Sequence, residues 1–487
     1  IPVLCEELLP NDTVSLGSKL QVQMPPMVTD FYGRVDFVLE AFFVPNRLLW
    51  GGWQDFITHP TANPQYPENT PVQAKPTRVP YFTVSESTTI PTNSLLHYLD
   101  YGQRILPNRT DISVLPAMAY HRIWDDWYRD SRIQSPLFYR PRIDFATNSW
   151  YELHSLPYLS TLNDGISIGI SPLAEFTDGS QFYSLRQRNW VKDYFTSASP
   201  LPQAGGASEV KFDVNSATET GAFSISTLRA ANSLQKWMER NNLAGYRYSD
   251  QIYAQFGTYP ADAIMDRPLY LGRHVESVYN KSVYSTVNFV AQGSSLGQKG
   301  ANSQALGEGS LVDKFTASEH GFLMVLASLV PRPIYGSGCE RRNFRTKVGD
   351  FAFPLLAGMG DQPIYMYELE DYADLNGTFG YTDLYAEDKF RNDKVHGLLR
   401  DGNDLEKYAL QRTFDNVVQI SSSFLLIPTD YLYHVQALDT STAGYTYWAQ
   451  IYFPFKKIST IPAYSQPTLA DLQNAHTEYI SRGGKRL

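Results

Sequence analysis

The chain has 487 residues, 14% aromatic and only 19% charged, and its 41 Lys+Arg against 50 Asp+Glu leave a net charge of −9. So few charges beside so many rings exclude an intrinsically disordered chain and a long coiled coil, and the negative balance excludes a protein that coats nucleic acid through its overall field. The longest apolar run, Phe322 to Val330, is nine residues, against about 20 for a spanning helix, so no membrane partner is expected.

The opening residues, IPVLCEELLP, show no signal-like stretch. From Val35 the residues Phe37, Leu39, Ala41 and Phe43 alternate with Asp36, Val38, Glu40 and Phe42, the period-2 signal of a strand that Pro45 and Asn46 end. A Pro-rich loop follows at 59–80. TNSLLHYLDYG predicts a helix with Thr92 or Asn93 as N-cap and Gly102 past its end, and Pro116 opens a second with Met118, Trp124, Trp127 and Tyr128 at helical spacings. The clearest helix spans 226–245, with Leu228, Ala231, Leu234, Trp237 and Met238 as its stripe and Gly245 beyond its end, and a shorter one, SDQIYAQFG, follows. Residues 291–309, rich in Gly, Ser and Gln, read as a mobile or extended surface loop. Residues 322–330 and 417–428 read as strands, as does YTYWAQIYFPFKKI, which sets Tyr447, Ala449, Ile451, Phe453 and Phe455 on one face. Strands at both ends of a mixed middle predict one β-structure whose first and last strands come from the two termini.

Catalytic motifs fail in their context. Gly293-Ser294-Ser295-Leu296-Gly297 matches a nucleophile elbow, but GQKGANSQ cannot start the helix that the elbow requires. Nine histidines show no metal-ligand spacing, Asp371 to Gly377 is out of register for a calcium loop, and Cys5 and Cys339 are too few for a disulfide framework. No cofactor and no catalysis are expected. Three segments mix rings with cations as single-stranded nucleic-acid platforms do. They are Arg132 to Arg142, containing Arg140 and Arg142; Arg186 to Lys192, containing Arg188 and Trp190; and Arg341 to Lys347, containing Arg342, Phe344 and Arg345. For each segment taken alone, a plain solvated or interface-facing stretch is the favoured reading. Trp50, Trp53, Trp124, Trp127, Trp190 and Trp237 are candidate core or interface anchors.

Several strings, taken together and in order, resemble the major capsid protein of the Microviridae, small icosahedral single-stranded DNA bacteriophages, with the gokushovirus-like branch nearest. They are LPNDTVSL, AFFVPNRLLWGGWQDF (41–56), AYHRIWDDWYRD (119–130), KDYFTSASPLPQAG (192–205), the stretch 227–257, RPLYLG (267–272), SEHGFLMVLASLVPRPIYGSG (318–338) and GDQPIYMYEL (360–369). The match weakens after about residue 380.

The resemblance implies one mainly β domain over 1–487, an eight-stranded antiparallel jelly roll of the viral coat type, with long inserted loops and helical insertions at roughly 90–135 and 226–257. It implies a non-enzymatic subunit that forms pentamers and a T=1 shell around circular ssDNA, assembled in a bacterial host's cytoplasm. It also implies a pilot protein and a small basic DNA-binding protein as partners, and the latter would reconcile a charge of −9 with enclosed DNA. Gokushovirus members carry a long insertion before the long helix; here about twenty residues, Gly206 to Ser226, stand in its place, so a smooth threefold surface is expected. The alternative reading is an aromatic-rich β-sandwich that binds or hydrolyses carbohydrate.

Overall fold

The computed structural model describes residues 1–58, 79–134, 184–202, 267–284, 299–432 and 447–461, less short internal segments, together with 167–170, 479–480 and single residues at 236, 253, 256 and 257. Its main strands are β1 (Pro2–Leu8), β2 (Thr13–Gln23), β3 (Val35–Pro45), β4 (Leu269–Ser277), β5 (Tyr279–Tyr284), β6 (Lys299–Thr316) and β7 (Gly321–Pro331). A hairpin of β8 (Asp361–Tyr365) and β9 (Thr378–Asp383) follows, then β10 (Trp448–Tyr452), β11 (Phe455–Ser459) and β12 (Tyr479–Ile480). One antiparallel sheet has the order β1-β7-β3-β4; a second has the order β5-β6-β2-β11-β12, with β10 also on β2.

The two sheets pack face to face, and a helical layer covers the back of the first. Phe37, Leu39 and Ala41 of β3, with Val325 and Ala327 of β7, meet Leu16, Leu20 and Val22 of β2 and Ala305, Leu311 and Val312 of β6. On the opposite face Phe42, Val44, Met324 and Leu326 meet Trp50, Trp53, Leu95, Leu96 and the buried side of the helix at Leu115–Ile123. All eleven residues of β3 are therefore buried, whereas β2, open to solvent on one side, alternates strictly. Each fully buried Phe contributes about 2–3 kcal/mol through apolar area removed from water. The pairing of β2 with β10 and β11 joins strands from both ends of the chain, as their patterns predict.

Two of the expected helices are seen, shifted in detail. Ser94, not Thr92 or Asn93, caps the Leu95–Tyr98 turn: its hydroxyl accepts the His97 N–H at 3.3 Å. Asp100, at φ 61°, then turns the chain out of the helix. Pro116 sits in the first turn of Leu115–Ile123, which widens into a π-helical turn over Trp124–Tyr128. That turn lets Trp124 donate to the Gln187 carbonyl at 2.9 Å and Trp127 to the Pro268 carbonyl at 3.0 Å. The long helix expected at 226–245, with Trp237 and Gly245, the shorter SDQIYAQFG (249–257), the Pro-rich loop through residue 78 and the short segment 206–226 lie outside the described residues, apart from single positions.

Two expectations are corrected. Residues 299–309 are not a surface loop but the first half of β6, an 18-residue strand between β5 and β2; residues 291–298, with the Gly293–Gly297 motif, lie outside the described residues. The glycines misled because here they serve close packing: a Cβ on Gly307 would lie 2.1 Å from the Glu276 carboxylate, and one on Gly309 3.0 Å from the His274 ring. Of the strand expected at 417–428, the described residues 419–428 form no strand, and 417–418 lie outside the described residues. Ser422–Leu425 forms one helical turn, because the Phe424 carbonyl accepts from Arg412 at 2.7 Å while its ring packs on Phe379 and Phe414.

Candidate nucleic-acid and subunit interface

In the segment at 186–192 Arg186, Arg188 and Trp190 turn toward the chain's own side chains, while Lys192 is exposed. Arg186 donates its backbone N–H to the Tyr120 hydroxyl at 2.8 Å and lays its guanidinium over Trp124. Arg188 donates to Glu40 Oε2 at 2.8 Å and to Ser328 Oγ at 2.6 Å and lies over the Tyr128 ring, while the Tyr128 hydroxyl donates to the same Glu40 oxygen at 2.5 Å. Burial, then the Glu40 charge, push the Tyr128 hydroxyl well above its ordinary range, so it stays a neutral donor. Trp190 is buried edge-on against Tyr431, with Arg412 over its ring. Neither face of this indole is open for a base to stack upon.

Of the first segment, Arg132 clasps Asp130 through two nitrogens and reaches the Ser197 carbonyl at 2.7 Å; Arg140 and Arg142 lie outside the described residues. The third segment begins as a 3-10 turn, Arg341–Phe344. Arg341 donates to the Pro363 carbonyl at 2.5 Å, stands 3.5 Å from Glu368 and lies over Tyr365. Arg345 donates to Glu387 at 2.6 Å and to Asp388 at 3.0 Å. Arg342 pairs with Glu340 but stays exposed, Phe344 is half-exposed on Tyr367, and Lys347 is exposed. A run that reads as a basic strip is therefore largely neutralised by carboxylates from 20 to 45 positions away in the chain. Of its cations and rings, Arg342, Phe344 and Lys347 still face outward.

These carboxylates titrate in opposite directions. Burial alone would raise Glu387, but the hydrogen bonds from Arg345 and Gln362 outweigh it and its pKa is lowered. Glu368 is raised, because burial there exceeds the help of the Tyr365 N–H, the Tyr194 hydroxyl and Arg341. A lowered carboxyl contributes stability that is present above its unfolded value, about 4.3, and is lost as pH falls through the folded one; Glu368 acts in the reverse sense. Comparison of unfolding between about pH 3 and 6 is expected to show wild type losing stability on acidification relative to Glu387→Gln, which carries no such linkage.

Among the described residues no constellation supports catalysis. Ser18, His274 and Glu276 form a chain, Ser18 Oγ to His274 Nδ1 at 2.7 Å and His274 Nε2 to Glu276 Oε1 at 2.8 Å, yet the Ser18 hydroxyl is buried between the sheets with Gly309 closing over the ring. It ties β2 to β4 and meets no substrate. Among the described residues no group of three or more His, Cys, Asp or Glu is placed to hold a metal, and no helix is long and apolar enough to cross a membrane. Sequence reading missed the Arg412 cage of Trp190, Tyr335, Phe414 and Phe424, since its five members are scattered from 190 to 424. It also missed the exposed apolar segment 348–355, which no periodicity marks.

Two antiparallel sheets packed face to face form the kind of sandwich found in viral coat proteins, and the family to which the chain belongs makes it a structural, non-enzymatic protein. The family model described as "Capsid protein (F protein)" matches residues 1–218 and 210–469, and the chain belongs to that family, the major capsid proteins of the Microviridae. Its relatives include capsid protein VP1 of Chlamydia phage 1, 26% identical across 96% of this chain and 92% of the relative. Capsid protein VP1 of Bdellovibrio phage phiMH2K is 24% identical across 87% and 84%, and that of Spiroplasma virus 4 is 28% identical across 53% and 47%. The carbohydrate-processing alternative gives way to a capsid role.

Proposed function

We propose that this chain is the shell subunit of a T=1 particle enclosing circular ssDNA, folded as one jelly-roll domain with large insertions. The observation that carries the reading is the family match over nearly the whole chain. The sandwich supports it: with β10 and β11 counted as one strand interrupted at Pro454, the two sheets hold four long strands each before the short β12 is added. Pentamers form the shell through heterologous contacts, since rotation that closes makes rings, and each obligate interface buries roughly 2,000 Å² or more.

Among the described candidates, Arg186, Arg188, Trp190, Arg341 and Arg345 are engaged within the chain. A net charge of −9 then assigns charge neutralisation to a separate small basic protein, with a pilot protein as the other minor component. The particle forms in the host cytoplasm, and its threefold surface is smooth because the 206–226 segment is short. Expression of the full chain with its phage partners and imaging by cryo-electron microscopy tests this. Closed particles of uniform size, with nuclease-protected ssDNA and no threefold spikes from this chain, are expected. A 55 kDa monomer under every condition would overturn the reading.

A further inference from the structure

The largest concentration of exposed apolar side chains among the described residues follows the third basic segment. Val348, Phe351, Phe353 and Leu355 stand outward, Val348 at 78% and Leu355 at 92% exposure. The backbone here bonds only to itself: Asp350 N–H to the Lys347 carbonyl and Phe351 N–H to the Val348 carbonyl. The loop 397–406, with Leu398 and Leu405 also exposed, adjoins the start of this segment, for Arg342 and Asn343 line one cavity with Arg400. Gly336–Cys339 joins the two, for Arg400 donates to the Gly336 carbonyl at 2.7 Å and the Ser337 hydroxyl to Asp401 at 3.4 Å.

The halves of this face carry opposite charge. The first, 342–355, carries Arg342, Arg345 and Lys347 against the single acid Asp350; the second, 397–406, carries Asp401, Asp404 and Glu406 against the single base Arg400. Lys347, whose backbone N–H donates to the Asp350 carboxylate, and Asp404 are both exposed. Soluble monomers rarely leave such an apolar patch open, and when they do it marks an interface. A face with a basic apolar half beside an acidic apolar half complements itself: turned by 180°, each half meets its opposite. That is the condition for an isologous contact, in which residue i of one copy meets j of the other and j meets i.

We propose that the segment 342–355 of one subunit packs on the loop 397–406 of a second copy across a two-fold axis, with Lys347 and Arg342 facing Asp404 and Asp401. The apolar side chains supply the association, and the charges set its register and reject the unrotated pairing. This rests on the capsid reading and names one contact of the shell. It assigns the outward groups Arg342, Phe344 and Lys347 to a neighbouring subunit rather than to DNA.

The test uses the full chain with Lys347→Glu, Asp404→Lys, both together, and Leu355→Asp, read by analytical ultracentrifugation and by particle yield. All three positions are exposed, so unchanged melting of the subunits is expected and separates folding from association. Each single variant should lower association at least tenfold, and the double charge exchange should restore it. Wild-type association in all variants, or a double variant worse than both singles, would overturn the proposal. So would Lys347→Glu particles that form normally but lose DNA, which would make the segment a genome contact. Wild-type chain that pairs in this Lys347- and Asp404-dependent way yet forms no shell would sink the capsid-shell reading and keep this one.

Discussion

Arg188→Ala is expected to destabilise the subunit by about 3–5 kcal/mol, the cost of leaving a buried carboxylate without its cation. Glu40 lies on the helical face of β3, where every residue is buried, and its Oε2 is held by the Arg188 guanidinium and the Tyr128 hydroxyl. Removal of Arg188 leaves one neutral donor on that charge and also strips the Ser328 hydroxyl of its partner. Thermal or denaturant unfolding of the isolated subunit measures the loss. Replacing both ends with apolar residues, Glu40→Leu with Arg188→Met, should recover most of it, because the desolvation cost disappears along with the attraction. A genome-contact role predicts the opposite pattern, with normal stability and reduced DNA in the particle. The contrast between the two readouts separates the roles at a single residue.

The same residue shows what a sequence can and cannot reveal. The alternation from Val35 to Phe43 and the apolar run 322–330 were legible because a pleated strand imposes period 2 and a doubly covered one fills both faces. The meeting of N- and C-terminal strands was legible from matching patterns at the two ends. Partnership across the chain was not. Nothing local to RQRNWVK says that Glu40, 148 positions away, neutralises Arg188, and nothing in RRNFRTK points to Glu387 or Asp388. Basic and aromatic composition therefore reads the same whether the cations face solvent or fold back on carboxylates. The error over 417–428 has a like origin: its apolar residues suit a strand, but the guanidinium of Arg412 holds the Phe424 carbonyl and ring in a helical turn. Glycine misled in the opposite sense, since residues 299–309 look like a linker until the second sheet is in place.

Gly272→Ala provides the sharpest test of that sheet-to-sheet approach. β4 pairs with β3 through Gly272 opposite Ala41, beside a register shift before Phe42 and Tyr270, and at this point β4 comes against β6. A methyl group on Gly272 would sit 2.1 Å from the Leu311 carbonyl oxygen. That neighbour is backbone, at the irregularity where the ladder of β6 with β2 shifts between Ser310 and Val312, and cannot swing aside as a flexible side chain would. Either β4 or β6 must move, and both carry the seam that the Ser18–His274–Glu276 chain fastens a few residues along. Overpacking of this kind costs about 3 kcal/mol, at the upper end of the usual range. The expected result is a subunit that unfolds at markedly lower denaturant or fails to accumulate folded. Gly309→Ala, whose Cβ would meet the His274 ring at 3.0 Å, should cost less, because a ring can tilt. Gly349→Ala, with nothing within 4 Å of its Cβ, should leave stability unchanged. Equal melting for all three would mean that the two sheets are not held this close. A graded loss, Gly272 beyond Gly309 beyond Gly349, would locate the closest approach of the sandwich at one edge, where three glycines on two strands (Gly272, Gly307 and Gly309) make room for it.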